Sequence, residues 1–156
     1  MKNLFSALII ILFLCGFAYP QNESKFAIKK MTPNLVVEDV NATVGFYKDK
    51  LGFTTLLTIP DTGKYVFAML VSDSTTIMFQ SVASMKEGFP EYDIKSSANS
   101  VILYIDVSDI NAVLAKVKAA GVPVLRGIGE TFYGTREFVI RDNCGHFVVF
   151  AMDIKQ

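Results

Sequence analysis

The sequence predicts an α+β protein built from two βαβββ modules, whose strands form a curved eight-stranded mixed sheet with the helices on its outer face. Three observations carry this. The string Val37-Glu38-Asp39-Val40-Asn41-Ala42 returns 70 residues later as Val107-Ser108-Asp109-Ile110-Asn111-Ala112, so the chain holds an internal repeat. Each copy is preceded by a short apolar, strand-like run and opens a stretch of helical period that stops at a glycine. Each of those stretches is then followed by three short β-prone runs separated by turn-forming residues.

The first module starts with a strand over 34–37 and a helix from Asp39 to about Leu51, with Val40, Val44, Tyr47 and Leu51 inward and Gly52 as its stop. Strands follow over 54–59, 65–71 and 76–80, parted by Pro60-Asp61-Thr62-Gly63 and Ser72-Asp73-Ser74. The second module repeats the order, with a strand over 101–107 and a helix capped by Asp109. Ile110, Val113, Leu114 and Val117 form its apolar stripe; Gly121 ends it and Pro123 forbids continuation. The closing strands are read over 124–126, 136–141 and 146–152, the last two joined by an Asp142-Asn143-Cys144-Gly145 hairpin turn. The modules therefore span 29–83 and 99–154 within one domain of residues 29–154, and the polar, turn-rich stretch 84–98 links them.

The N-terminus sets the expected compartment. Lys2 precedes an almost wholly apolar run from Leu4 to Phe17, and small residues stand at Gly16 and Ala18. This is the layout of a secretory signal over residues 1–18, cleaved after Ala18, and the run is short of the ~20 apolar residues that span a bilayer. The expected protein is exported, periplasmic or secreted, with no membrane span once the signal is removed. An uncleaved anchor and a lipoprotein formed through Cys15 are the alternatives, the latter disfavoured because Leu14 before the cysteine is not small. Cleavage removes one basic residue, Lys2, from a chain with 15 basic and 15 acidic residues. No basic footprint for a phosphate backbone results, which excludes nucleic acid as the expected partner. Cys144 is then the one remaining thiol, so no internal disulfide can form, and packing must hold the domain together.

Two strings carry a family resemblance. Met31-Thr32-Pro33-Asn34-Leu35-Val36-Val37-Glu38-Asp39, with Phe46-Tyr47 and Leu51-Gly52-Phe53, resembles the opening module of the vicinal oxygen chelate superfamily. That group includes glyoxalase I, extradiol dioxygenases, fosfomycin-modifying enzymes and bleomycin-resistance proteins. Gly134-Thr135-Arg136-Glu137-Phe138, with Arg141-Asp142, Gly145 and Phe150, is similar to the closing signature of the bleomycin-resistance-like branch. In metal-using relatives the resemblance puts ligands seven residues before each helix-capping Asp and four after the hairpin glycine. Those positions are Thr32, Ile102 and Val149 here, with Met78 as the first-module counterpart of the last. None offers a carboxylate, imidazole or thiolate, and shifting the alignment by one or two residues brings none in. The expectation is a metal-free member without a cofactor.

Strand alternation then suggests what lines the trough on the face away from the helices. Asn34, Val36, Thr76, Gln80, Tyr104, Asp106, Phe147 and Ala151 share the parity of the ligand positions, while Leu35, Val37, Leu103, Ile105, Val107, Val148 and Phe150 face the helices. Asn34, Gln80, Tyr104 and Asp106 are the polar candidates for ligand contact; Asp106 is equally a solvated strand-end carboxylate. Arg136 and Glu137, in the loop running into a strand, are the charged candidates by resemblance, with an ion pair or solvated edge as the plain alternative. Phe132 and Tyr133 could shield a bound aromatic group or merely cover the sheet end. His146 is read as a solvent-exposed turn residue, and Cys144 as a turn residue rather than a nucleophile.

The resemblance implies a small organic ligand, no chemistry on it, and a homodimer whose sites form between halves of two chains. The competing reading is a lyase, isomerase or dioxygenase of the same superfamily with an atypical site, or an acid–base catalyst using Glu137 or Asp106. A surface domain binding a protein partner is a third reading, which no extended charged or apolar segment supports.

Overall fold

The computed structural model describes residues 28–154. The export signal expected over residues 1–18 lies outside them. Residues 28–30 carry no regular secondary structure, and the described residues from Met31 onward form a compact unit of their own. In that unit the order is β1 (Asn34–Val37), α1 (Val40–Gly45), β2 (Thr54–Ile59), β3 (Phe67–Ser72), β4 (Thr75–Ser81), α2 (Val82–Gly88), β5 (Ile102–Asp106), α3 (Ile110–Ala119), β6 (Val124–Glu130), β7 (Thr135–Arg141) and β8 (Phe147–Asp153). A π-helical turn, Phe46–Leu51, prolongs α1 to the glycine stop, where Gly52 takes φ 84°. The chain folds as α+β, but its eight strands divide into two four-stranded sheets instead of closing into one. The orders β1-β4-β3-β2 and β5-β8-β7-β6 are the same arrangement twice, each with one parallel pair and two antiparallel ones.

Two stretches differ from expectation. Residues 82–88, partly assigned to the linker, form α2, because the Ser81 hydroxyl accepts the Ser84 amide proton and caps a new helix. Strand β6 runs on to Glu130 through Gly127 and Gly129, past the expected end at Arg126. Both helix caps form as expected: Asp39 accepts from the Ala42 amide, and Asp109 from those of Asn111 and Ala112.

Burial follows the strand period. Leu35, Val37, Ala68, Leu70, Ile77 and Phe79 pack on Val40, Val44 and Tyr47 of the first helix. Phe138, Ile140, Val148 and Phe150 pack on Ile110 and Val117 of α3, with the Phe138 and Phe150 rings stacked 4.9 Å apart. Phe46, Leu51 and Leu103 touch both clusters and weld the modules through their apolar interior. Lys50 adds a polar link by donating to the Ala120 carbonyl at 2.7 Å, at the negative end of α3.

A buried polar knot completes the weld. Asp142, in the β7–β8 turn, accepts through Oδ2 from the Tyr47 hydroxyl (2.9 Å) and from His146 Nδ1 (2.8 Å), and through Oδ1 from the Cys144 and His146 amides. His146 Nε2 meets Ser97 Oγ at 2.8 Å, and Ser97 donates its amide to the Val36 carbonyl of β1. His146 is therefore not the exposed turn residue that its place beside a glycine suggested. It is fully buried, because both ring nitrogens find partners inside the protein. Burial alone would push the Asp142 carboxyl up; the side-chain and backbone hydrogen bonds of His146, its charge and the Tyr47 hydroxyl outweigh that and hold it below its ordinary value.

Asp142→Asn should lower the unfolding free energy by about 2–4 kcal/mol in urea titrations, since it strips a buried network of its charge. The sign in acid follows from the depressed carboxyl. Its contribution is complete above the unfolded value of about 4 and drains away as pH falls through the lower folded value. Asp142→Asn should accordingly flatten the acid limb of a stability–pH curve.

Candidate functional site

The face of the second sheet that points away from the helices carries an ionised carboxylate in a nest of hydroxyls. Glu137, on β7, shares that face with Val139 and lies opposite Gly129 of β6 and Ala151 of β8. Its Oε1 accepts from Tyr104 (2.6 Å), Tyr133 (2.9 Å) and Thr135 (2.9 Å). Its Oε2 faces the Arg126 guanidinium at the looser distance of 3.7 Å. The carboxylate is 5 % exposed although the surrounding phenols are half in solvent, so the hydroxyls roof it over.

Local sequence explains the geometry. The 131–134 turn closes on Gly134, whose φ of 89° only glycine adopts without strain. Thr131 braces the turn through its amide and hydroxyl, both to the Thr135 carbonyl. Tyr133 is thereby carried back over its own strand, and Tyr104 reaches Glu137 from β5, two strands away across β8. The hydrogen bond from Tyr104, then those from Tyr133 and Thr135 and the charge of Arg126, hold Glu137 below the usual carboxylate range against the opposing push of burial. The same hydrogen bonds, chiefly, raise the phenols of Tyr104 and Tyr133 above theirs.

The seven residues expected to meet a ligand fall into three places. Tyr104, Tyr133 and Glu137 converge as described. Asn34 and Gln80 pair with each other on the first sheet, Asn34 Nδ2 donating to Gln80 Oε1 at 3.0 Å, and Gln80 also donates to Ser84. Arg136 and Asp106 line a cavity of about 890 Å³ at the end of β5 and β8, together with Met152 and Asp153. Arg136 cannot join Glu137, because neighbours on a strand point to opposite faces and Arg136 stands opposite Met152 on the helix side. Thr135, Arg126 and Gly129 were missed. Two glycines inside a β-prone run were the available signal, since a strand glycine marks a close approach or bare floor.

Comparison with known proteins fits this architecture. The model of the Glyoxalase/Bleomycin resistance protein/Dioxygenase superfamily matches residues 28–150. The chain belongs to that superfamily. An uncharacterised protein of Mycobacterium tuberculosis strain H37Rv is 26% identical over 146 residues, covering 90% of this chain and 86% of that protein. The solved structure of a glyoxalase/bleomycin resistance protein/dioxygenase from Nocardioides superposes with a TM-score of 0.68 at 20% identity, over 83% of this chain and 87% of its own. TioX from Micromonospora sp. ML1 gives 0.65 at 23% identity, over 79% and 97%. At these identities the two structures establish the shared fold.

Superfamily membership raises the question of a metal at the positions that the resemblance marks. Met78, Ile102 and Val149 lie on β4, β5 and β8, with Thr32 just before β1, and none supplies a donor a divalent ion prefers. Elsewhere among the described residues, Asp142, Cys144 and His146 bring ligand atoms within 4.8 Å of one another. Their lone pairs and protons are already committed to the buried knot, and Cys144 Sγ lies 3.0 Å from the Thr43 hydroxyl. Burial, foremost, keeps that thiol above its ordinary value and so protonated, a poor ligand and a poor nucleophile. The triplet is a turn lock.

Glu137→Gln should bring the Tyr104 and Tyr133 phenols down toward their ordinary titration range, because both lose a charged acceptor. Tyrosinate absorbance followed against pH reads this directly, with Tyr104→Phe and Tyr133→Phe assigning the two steps.

Proposed function

We propose that this superfamily member is an exported small-molecule-binding protein that holds an organic ligand over Glu137, without a protein-ligated metal and without chemistry on the ligand. The observation that carries the reading is the state of Glu137. A carboxylate held below its usual range by three hydroxyls and a guanidinium is a weak proton acceptor, since general bases work best with values tuned toward the working pH. It is a good anchor: fixed, ionised, shielded from water and ringed by aromatic surface. Exposed aromatic rings beside a few convergent polar groups suit a ligand site, and the residues at the superfamily's metal positions suit a site without an ion.

Homodimerisation belongs to the same proposal. Asn34 and Gln80 make their hydrogen bonds within the first module, and Tyr104 and Glu137 within the second, so each module presents its own half of a lining. Ile102 on the open face of β5 is 66 % exposed, and Leu56 and Ile59 on β2 are also solvent-facing. A second copy bringing its first module against the second module of its partner would cover such side chains and join the two half-linings. The export signal sets the compartment in which the ligand would be met.

The test is metal content and thermal melting of the purified full chain. The expected result is no stoichiometric metal, a melting temperature unmoved by chelator or by added Zn, Ni, Mn or Fe, and a rise with aromatic small molecules that Glu137→Gln abolishes. A tight stoichiometric ion that stabilises the fold would instead make a lyase, isomerase or dioxygenase the better reading. Light scattering should give twice the chain mass, and Ile102→Asp should return it to one.

A further inference from the structure

The hollow around Glu137 has a floor of small residues. Gly129 stands opposite Glu137 on β6 and Ala151 opposite it on β8, so the carboxylate is flanked by the two smallest side chains available. Gly129 does not need to be glycine for its backbone or its neighbours. It lacks the positive φ that favours glycine, and a Cβ added there meets no heavy atom within 4 Å. Glycine inside a strand weakens the strand; the register shift between Arg126 and Gly129 accounts for a local irregularity, and the bare Cα also leaves room beside Glu137.

That room is a cavity of about 350 Å³ lined by Arg126, Gly129, Glu130, Phe132, Tyr133 and Glu137 along with Thr131. Its charges are two carboxylates against one guanidinium. Glu137 Oε1 is taken by three hydroxyls, whereas Oε2 has only Arg126, whose side chain is 66 % exposed and 3.7 Å away. A close charge-assisted hydrogen bond would stand at about 2.8 Å. The Phe132 ring is fully exposed and edge-on to Tyr133, 5.0 Å between centroids, at the same rim. An underused carboxylate oxygen beside exposed aromatic rings is complementary to a positive charge on an organic frame.

We propose that the Gly129 hollow binds the protonated amine or amidine of a small organic cation, its charge on Glu137 Oε2, with its frame beside Tyr133 and Phe132. Arg126 is then a built-in competitor for the same oxygen, displaced when the ligand enters. The proposal rests on the binding-protein reading and narrows it to a ligand class.

Three probes of one shape and different charge test it: benzamidinium, benzamide and benzoate, titrated into the full chain by calorimetry. Benzamidinium should bind at least about tenfold more tightly than the other two, as a charged hydrogen bond requires. Gly129→Val should fill the hollow and weaken benzamidinium at least about tenfold while leaving the melting temperature at or above that of the parent. Glu137→Gln should weaken it similarly, and Arg126→Gln should strengthen it. Preference for benzoate, or benzamidinium binding untouched by Gly129→Val, overturns the assignment. If none of the three binds while an uncharged compound raises the melting temperature in a Glu137-dependent way, the cation assignment fails and the binding reading stands. If no compound of any charge binds, both fail.

Discussion

Everything in this protein depends on each sheet burying one of its faces against a common helical layer. Phe46, Leu51 and Leu103 contact the apolar clusters of both modules, so the two modules are joined through their apolar interiors. Period-two alternation then leaves the opposite face of each sheet open, and side chains there are free of packing duties. Polar and charged groups can stand on that face because water or a ligand is within reach of it. Glu137 shows how far this freedom goes: a carboxylate in the middle of a sheet, tolerated because three hydroxyls and a guanidinium answer its charge.

The second module has been elaborated more than the first. In both, a parallel pair and a three-stranded antiparallel run surround one helix, and an Asp caps that helix in the same way. The first open face carries an amide pair, Asn34 with Gln80, and the methionines Met69 and Met78. The second carries the ionised nest and the strand glycines. The asymmetry fits a division of labour in which one module supplies an adaptable apolar wall and the other a fixed electrostatic anchor.

Much of the fold was legible because it is written in local chemistry. Asp39 and Asp109 mark helix starts by capping, Gly52 marks a stop through its left-handed backbone, and the alternation at Leu35/Val37 and Val148/Phe150 names the buried face. The site was legible only in part. Tyr104, Tyr133 and Glu137 were singled out and do converge, but Arg136 was grouped with Glu137 by resemblance, and the strand period puts the two on opposite faces. Arg126 depends on a hairpin register shifted twice by bulges, which sequence spacing does not reveal, whereas Thr135 lies two residues before Glu137 on the same face of β7. His146 was misread for a related reason. Its partner Ser97, and Tyr47, which shares the Asp142 carboxylate with it, are distant in the chain, and a residue after a turn glycine looks exposed until the packing of the other module is known.

The buried knot around Asp142 bears on how the two halves can be inherited. The first module's corresponding turn, Ser72-Asp73-Ser74, has exposed Asp73 in a left-handed conformation at φ 50°. The second module's turn instead sends its carboxylate inward to Tyr47 of the first helix, and its histidine to Ser97. One half therefore carries the bolt and the other the socket. A tandem of two first modules would lack the bolt, and a tandem of two second modules would offer Val117 where Tyr47 now stands in the repeat. The two halves that share the repeated hexapeptide have thus become complements: each presents a group that the other needs in order to bury its own.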